Sequence, residues 1–497
     1  MLARVTALET RCQQLEDENS ELREANGRLR KENVGLLSKN KRLREEYDQL
    51  QGRVLELEDK LLVAAKDSRN STKPPSSDAP HNTRHYPSRV SSGLLPGGQP
   101  GHVGHGREWT NIPDAVEQHS PTACSSCKAV LDGTGSKISE RRQVIDVEVT
   151  TIVTEHQLMV ISCKKCHTKN RGNYPTSVTG NICFGPSVKA AMLALSAAGK
   201  LPSRVAAHLA ESMFGVSISA GVLDNWRAQL AHGLDQWDEA VVEALKEAPA
   251  VGADESPIAV DGMKGAHAHV ATTDRLTRFH LAGRSKKDII SGGVLKDHPG
   301  RLVTDCLPTY WNIGAAAHQA CVMHLIKELR FFDECHTPSK TDTPHPHPGF
   351  ANIVELLQEA VHSRNLAHGS NHPPGVGDYV DRLQLLVTQT VSSFSDAELR
   401  TATNRRARSL MNRLLRLANA GELFAFLEDL AVPPTNNSSE QALRPWKVRQ
   451  RRSGCFRSQT AAREWLRIAG YLDTSRKGGV DPIEALRLAV IGQPVIP

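Results

Sequence analysis

The stretch Ala250-Val251-Gly252-Ala253-Asp254-Glu255-Ser256-Pro257-Ile258 opens as a short apolar strand that ends on an acid. Adjacent strand residues face opposite sides, so only one of Asp254 and Glu255 can join a common site, and Asp254 is the expected one. Two further runs, His267–Thr273 and Leu276–Ala282, have strand character, and Lys286–Val294 has that of a helix. A fourth strand, Arg301–Asp305, again ends on an aspartate, at the position where α/β folds bind ligands.

Three strands, a helix and a further strand, with acids on the first and fourth, match a ribonuclease H-like α/β arrangement in which neighbouring strands bring two carboxylates together. A third acid comes from Asn436-Asn437-Ser438-Ser439-Glu440-Gln441-Ala442-Leu443-Arg444. Converging carboxylates need a cation. Two Mg²⁺ ions held about 3.5–4 Å apart, with Mn²⁺ as a substitute, activate an attacking oxygen and stabilise a leaving one in phosphodiester chemistry. Each acid also has a plain structural reading: Asp254 and Asp305 as loop carboxylates, and Glu440 as the partner of Asn437 in a capping box. Between Asp305 and Glu440 the chain is too long for a simple connection. Gln319–Phe332 is expected as a helix carrying Cys321-x2-His324, a pair that lacks further metal ligands and suits core packing or support of the site. Phe350–His368, Gly377–Phe394 and Asp396–Asp429 have helical character, so residues 336–432 form a helical insertion between core segments 249–335 and 433–497.

Beyond Glu440, Arg444, Lys447, Arg449, Arg451, Arg452 and Arg457 interleave with Trp446 and Phe456, a pattern suited to neutralising phosphates and stacking on unpaired bases. In segment 186–248, a helix at Pro202–Ala210, a turn at Phe214–Ser219 and a helix at Ala220–Leu230 have the spacing of a helix-turn-helix. Ser219 is then the N-cap, with Asp224, Asn225 and Arg227 presented to DNA; an ordinary helical hairpin is the competing reading. Residues 111–185 hold Cys124-x2-Cys127 and Cys163-x2-Cys166 on either side of Arg142–Ile161, whose Val, Ile and Thr content suggests a hairpin. Four thiolates so spaced describe a zinc ribbon whose closed Zn²⁺ site is structural.

Leucine recurs every seventh residue from Leu8 to Leu57, and the alternate core positions include Asn19, Asn26, Asn33 and Asn40. Residues 1–64 are therefore expected as a leucine-zipper coiled coil, favouring a parallel homodimer, with Gly35 as a weak point. Residues 65–110 turn Ser-, Pro- and Gly-rich, the composition of a flexible linker. The 497-residue chain has 61 Lys+Arg against 55 Asp+Glu, so nucleic-acid binding rests on local clustering. No apolar run approaches the roughly 18 residues of a membrane span, and the ten cysteines suit ligands and free thiols better than a disulfide framework. The expectation is a multidomain α+β protein, cytoplasmic and nucleoid-associated, with no membrane segment.

In one order the chain carries the coil, Asn70-Ser71-Thr72-Lys73-Pro74-Pro75-Ser76-Ser77-Asp78, Gly97-Gly98-Gln99-Pro100-Gly101-His102, two C-x2-C pairs, Ala253-Asp254-Glu255-Ser256-Pro257, Thr304-Asp305, Cys321-x2-His324 and Asn436-Asn437-x-x-Glu440. This series resembles the transposases of the insertion-sequence sixty-six family. The resemblance implies a DDE transposase with Asp254, Asp305 and Glu440 as metal-binding acids, a zinc module, action on terminal inverted repeats and target DNA, and accessory transposition proteins. Thr435, Cys306 and Gln441 depart from the residues usual in such relatives, without removing an acid. Two other function classes fit the same residues: a catalytically inactive, dimeric, zinc-containing DNA-binding regulator, and a structure-selective nuclease.

Overall fold

The computed structural model describes residues 2–66, 108–336, 348–368, 372–394 and 401–496. Most of the expected linker 65–110 and, in the expected insertion, residues 337–347 lie outside them. Helix α1 (Leu2–Ala65) is followed by strands β1 (Val160–Ser162) and β2 (Lys169–Arg171), then by α2 (Pro186–Ala197), α3 (Ser203–Phe214), α4 (Ala220–Gly233) and α5 (Asp235–Lys246). Strands β3 (Ala250–Pro257), β4 (His267–Thr272) and β5 (Thr277–Ala282) come next, then α6 (Lys286–Ile290), β6 (Arg301–Thr304), α7 (Pro308–Trp311) and β7 (Ala317–Ala320). The remaining helices are α8 (Val322–His336), α9 (Pro348–Ala367), α10 (Tyr379–Ser392), α11 (Ala402–Asn419), α12 (Asn437–Ser453), α13 (Gln459–Lys477) and α14 (Pro482–Val490).

Local signals account for many of these boundaries. Gly215, at φ 63°, ends α3 in the left-handed conformation that glycine adopts freely. Ser219 then caps α4 by accepting the Val222 N–H. Ser285 and Asp288 form a reciprocal capping box on α6, and Ser458 and Asp481 cap α13 and α14.

The larger sheet has the order β5-β4-β3-β6-β7. β4 and β5 pair antiparallel from His267↔Ala282 to Thr272↔Thr277, while β3 and β6 pair in parallel over Ala250–Gly252. β6 and β7 are also parallel, from Arg301↔Ala317 to Thr304↔Ala320. The expected helix at Gln319–Phe332 is thus partly a strand: Gln319 and Ala320 belong to β7, and α8 starts at Val322. Four residues with three buried in succession show neither a helical nor an alternating pattern, so only the parallel partner defines them.

The chain divides into two compact units, one of Met1–Ser88, Pro249–Ala253 and Lys296–Asn437, the other of Arg89–Ala248, Asp254–Leu295 and Ser438–Pro497. In the first, α8 to α11 build an apolar core with β6 and β7 that includes Val303, Leu325, Phe350, Leu357, Leu414 and Phe426. The last turns of α1 join it: Leu55 packs on that core, Glu58 accepts the Ala402 N–H at 3.1 Å, and Asp59 pairs with Arg406 at 3.1 Å. The heptad leucines stay exposed, Leu8 by 66% and Leu50 by 62%, and Gly27 and Gly52 join Gly35 inside the helix.

In the second unit, α13 lies on β5, with Gly470 so close that an added Cβ would sit 3.0 Å from the Thr277 carbonyl oxygen. His269 and His280, registered opposite one another on β4 and β5, stack at 4.7 Å. Burial first, then the neighbouring His269, pushes His280 down to about 3, and burial also lowers His269. The hairpin expected over Arg142–Ile161 is a correction: regular pairing starts only at Val160, and Val144 and Val153 are 93% and 89% exposed. A β-branched run makes a strand only where a partner edge and a buried face exist, and this segment has neither among the described residues.

Candidate active site and nucleic-acid interface

Asp305 and Glu440 sit at element ends, Asp254 lies inside β3, and all three are partly exposed. Asp254 lies in β3 just beyond its registered pairing with β6, and its Oδ1 accepts the Glu255 N–H at 2.8 Å. Glu255 instead pairs with Arg284 at 2.9 Å. Asp305 follows β6 and turns the chain into α7: Oδ1 accepts the Leu307 N–H at 3.0 Å, and its carbonyl oxygen accepts from Trp311 Nε1 at 3.0 Å. Glu440 occupies the first turn of α12. That helix begins at Asn437, so Asn436 rather than Asn437 stands at the cap position.

Asn436 does not cap. Its Oδ1, which a capping asparagine would offer to the first-turn amides, is buried and accepts no bond. Its Nδ2 donates to the Ala253 carbonyl oxygen at 2.7 Å, one residue before Asp254. Its backbone N–H donates to Cys321 Sγ at 3.2 Å, and the Cys321 N–H donates to the Thr304 carbonyl oxygen at 2.9 Å, one residue before Asp305. Val322 adds a bond from its N–H to Pro434, fixing the same segment to the start of α8. Three bonds in series therefore connect the residues ahead of both aspartates and the residue ahead of the Glu440 helix, all within the first unit. Cys321 is fully buried, and its sulfur and a His324 ring nitrogen lie within 4.8 Å of each other. The sequence signal for this was the Asn-Asn doublet, which capping alone leaves unexplained.

The basic stretch divides by helical face. Ser439, Leu443 and Trp446 point inward, while Arg444, Lys447 and Arg451 line the exposed side with Arg452; Arg457 follows on an exposed loop. Trp446, 2% exposed, packs edge-on to Phe279 at 5.6 Å and near Phe456 at 6.3 Å. The stacking surface expected for unpaired bases is therefore internal packing at Trp446. Arg449 differs from its neighbours: its guanidinium lies over Trp465 at 4.3 Å and Phe456 at 4.9 Å. Burial, and then the nearby Arg227, lower it to about 10. Arg227 is likewise turned inward, bonded to Asp224 and to Glu464 at 3.0 Å, so α4 does not present it as expected. Lys200, from the turn before α3, lies over Trp446 at 5.4 Å, and burial followed by Arg449 lowers it to about 8.

The two cysteine pairs repeat one backbone turn. In the first, the Cys124 N–H donates to Ala129 O at 2.8 Å and the Lys128 N–H returns to Cys124 O at 3.0 Å, with Lys128 at φ 61°. In the second, Cys163 donates to Thr168 O at 2.9 Å and His167 returns to Cys163 O at 2.8 Å, with His167 at φ 55°. Amides of Cys127 and Ser126 hold the Cys124 thiol below its usual range, and the Thr168 hydroxyl and amide do the same for Cys166. Each pair is brought together; a grouping of all four within one coordination sphere is absent among the described residues.

Residues 181–464, more than half of the chain, match the Transposase IS66 family. The chain belongs to this family. The match spans Asp254, Asp305 and Glu440 and begins after Cys166, so this transposase carries both cysteine pairs outside it. Residues 6–108 match a family of unknown function. No curated protein matches the transposase. Family membership makes it a nucleic-acid-processing enzyme of transposition. None of its described helices is long and apolar enough to cross a membrane.

Proposed function

We propose that this transposase cleaves DNA at the ends of its insertion element and joins the exposed 3′-OH to target DNA, using Asp254, Asp305 and Glu440 as the acids of a DDE site. The observation that carries this reading is the bond series through Thr304, Cys321, Asn436 and Ala253, which ties together the segments leading into all three acids. The strand order supports the ribonuclease H-like assignment, because the first strand of the sheet, β3, is central and the fourth, β6, lies beside it.

The donor set fits hard divalent ions, since all three side chains are carboxylates. Two Mg²⁺ ions, or Mn²⁺, would supply activation of the attacking oxygen and charge stabilisation of the leaving one. The exposed Arg444, Lys447, Arg451, Arg452 and Arg457 hold the phosphate backbone near Glu440. Cys124, Cys127, Cys163 and Cys166 fit a structural Zn²⁺, because amide-supported turns favour thiolates. The exposed heptad face of α1 supports a homodimer. Accessory transposition proteins and a nucleoid setting complete the reading.

The test uses the full chain with duplexes carrying the element's terminal inverted repeats. Mg²⁺ should give strand cleavage with a 3′-OH at the element end and joined product from precleaved ends, both blocked by EDTA. End binding without cleavage in Mg²⁺ or Mn²⁺ would instead identify a regulator, and cleavage without joining a nuclease.

A further inference from the structure

Asn436 is 1% exposed, and one of its two polar side-chain atoms is spent on a backbone carbonyl 183 positions away. A buried amide is costly unless it bonds, and Nδ2 meets that need by donating to the Ala253 carbonyl oxygen. The single bond it makes has a location that matters. The ladder between β3 and β6 is registered only over Ala250–Gly252, and Ala253 is the next residue. Asn436 therefore holds the strand at the first position that this ladder leaves, directly before Asp254. Its backbone N–H is meanwhile fixed by the buried Cys321 sulfur. The chain passes from the first unit to the second between Ala253 and Asp254 and again between Asn437 and Ser438. The Asn436–Ala253 bond lies within the first unit, one residue before Asp254 and four before Glu440 in the chain.

We infer that Asn436, anchored by Cys321, is a positioning residue that sets the spacing of Asp254 and Glu440 for a divalent ion. This rests on the reading of those residues as metal-binding acids. It also assigns a task to Cys321 that requires no metal: a hydrogen-bond acceptor for the Asn436 amide. A partner that orients a ligand typically accounts for 10–100-fold in metal affinity.

The experiment measures Mn²⁺ binding to the full chain by electron paramagnetic resonance, alongside thermal unfolding, for Asn436→Ser, Cys321→Ala, Cys321→Ser and Asp254→Asn. Asn436→Ser, too short to reach Ala253, should weaken Mn²⁺ binding by about 10-fold or more. Cys321→Ala should weaken it in the same direction, and Cys321→Ser, which keeps an acceptor, should restore most of it. Wild-type Mn²⁺ affinity in Asn436→Ser overturns the inference. So does equal weakening by both Cys321 variants, which would mark a packing effect. Unchanged binding in Asp254→Asn sinks the acid assignment itself, whatever Asn436 does. If Asn436→Ser lowers the melting temperature, binding is compared below its transition, where the same outcomes hold.

Discussion

Residues 142–161 and residues 250–258 invert what their compositions suggest. The first is dense in Val, Ile and Thr, yet its backbone is irregular until Val160 and its Val and Ile side chains lie in solvent. The second contains Gly252, two alanines and a proline, yet it forms the strand shared by the whole sheet. Strand propensity is a fit to a pleated, half-buried surface rather than a property of the backbone alone. β3 has β4 and β6 as neighbours and buried residues on both faces; the run before Cys163 has only short turns to close on. The two regions therefore hold their chemistry differently. Asp254 and Asp305 stand just past the registered ends of ladders, and the thiols stand on self-closed turns.

The largest expected effects test the ladder side. Asp254→Asn, Asp305→Asn and Glu440→Gln should each lower Mg²⁺-dependent cleavage by a factor on the order of 10² to 10³ or more, with end binding and melting temperature near wild type. Undiminished cleavage in one variant removes that residue from the site. Next in size is the thiol side. Zinc removal, or Cys163→Ser with Cys166→Ser, should leave the core transition in place while residues 108–185 gain rapid amide exchange, since structural zinc can supply on the order of 10 kcal/mol to the element that binds it. Stoichiometric zinc in the double variant contradicts the site, and a loss of the core transition breaks the contrast between the regions.

A smaller version of the same contrast lies within α12. Lys447 and Arg451 are exposed, whereas Arg449 is enclosed by Trp465 and Phe456. Lys447→Ala with Arg451→Ala should weaken binding across DNA sequences and reduce the slope of log affinity against log salt by about 2. Arg449→Ala should instead lower stability and leave that slope unchanged. Equal slopes for the two variants would mean that exposure does not separate their roles.

How much of this was legible follows from range. The helix α1, the cap at Ser219 and strands β3 to β6 follow from local patterns, and the sequence placed them within a residue or two. β7 was not legible, because four residues without alternation take their state from β6. Periodicity separates the faces of α12 but cannot say that Arg449 meets Trp465, or that Arg227 meets Glu464 across 237 positions. Asn436 shows the limit most clearly: the doublet was visible, but its partner Ala253 lies on a distant strand.

The smallest effect concerns acid sensitivity of the sheet. His280 and His269 are stacked across the β4–β5 ladder, with His267 at 6.2 Å from His269, His280 Nε2 at 3.2 Å from the Asp288 carbonyl oxygen, and Glu255, Asp288 and Arg278 as the charged groups acting on them. Burial holds both imidazoles neutral, lowering His280 to about 3 against 6.5 for a free side chain. Below pH 6.5 the unfolded chain therefore takes up protons that the folded chain refuses, so folding stability should fall as pH drops from about 6.5 toward 3. Thiolate protonation would add an acid dependence of its own in the cysteine segment, so the comparison belongs in the Cys163→Ser/Cys166→Ser background. There, the urea midpoint of the core should decline on acidification, and His280→Gln should flatten that decline. An equal decline with and without His280 would show that the ladder's acid sensitivity arises elsewhere, and that the two regions differ in partners but not in the groups that titrate.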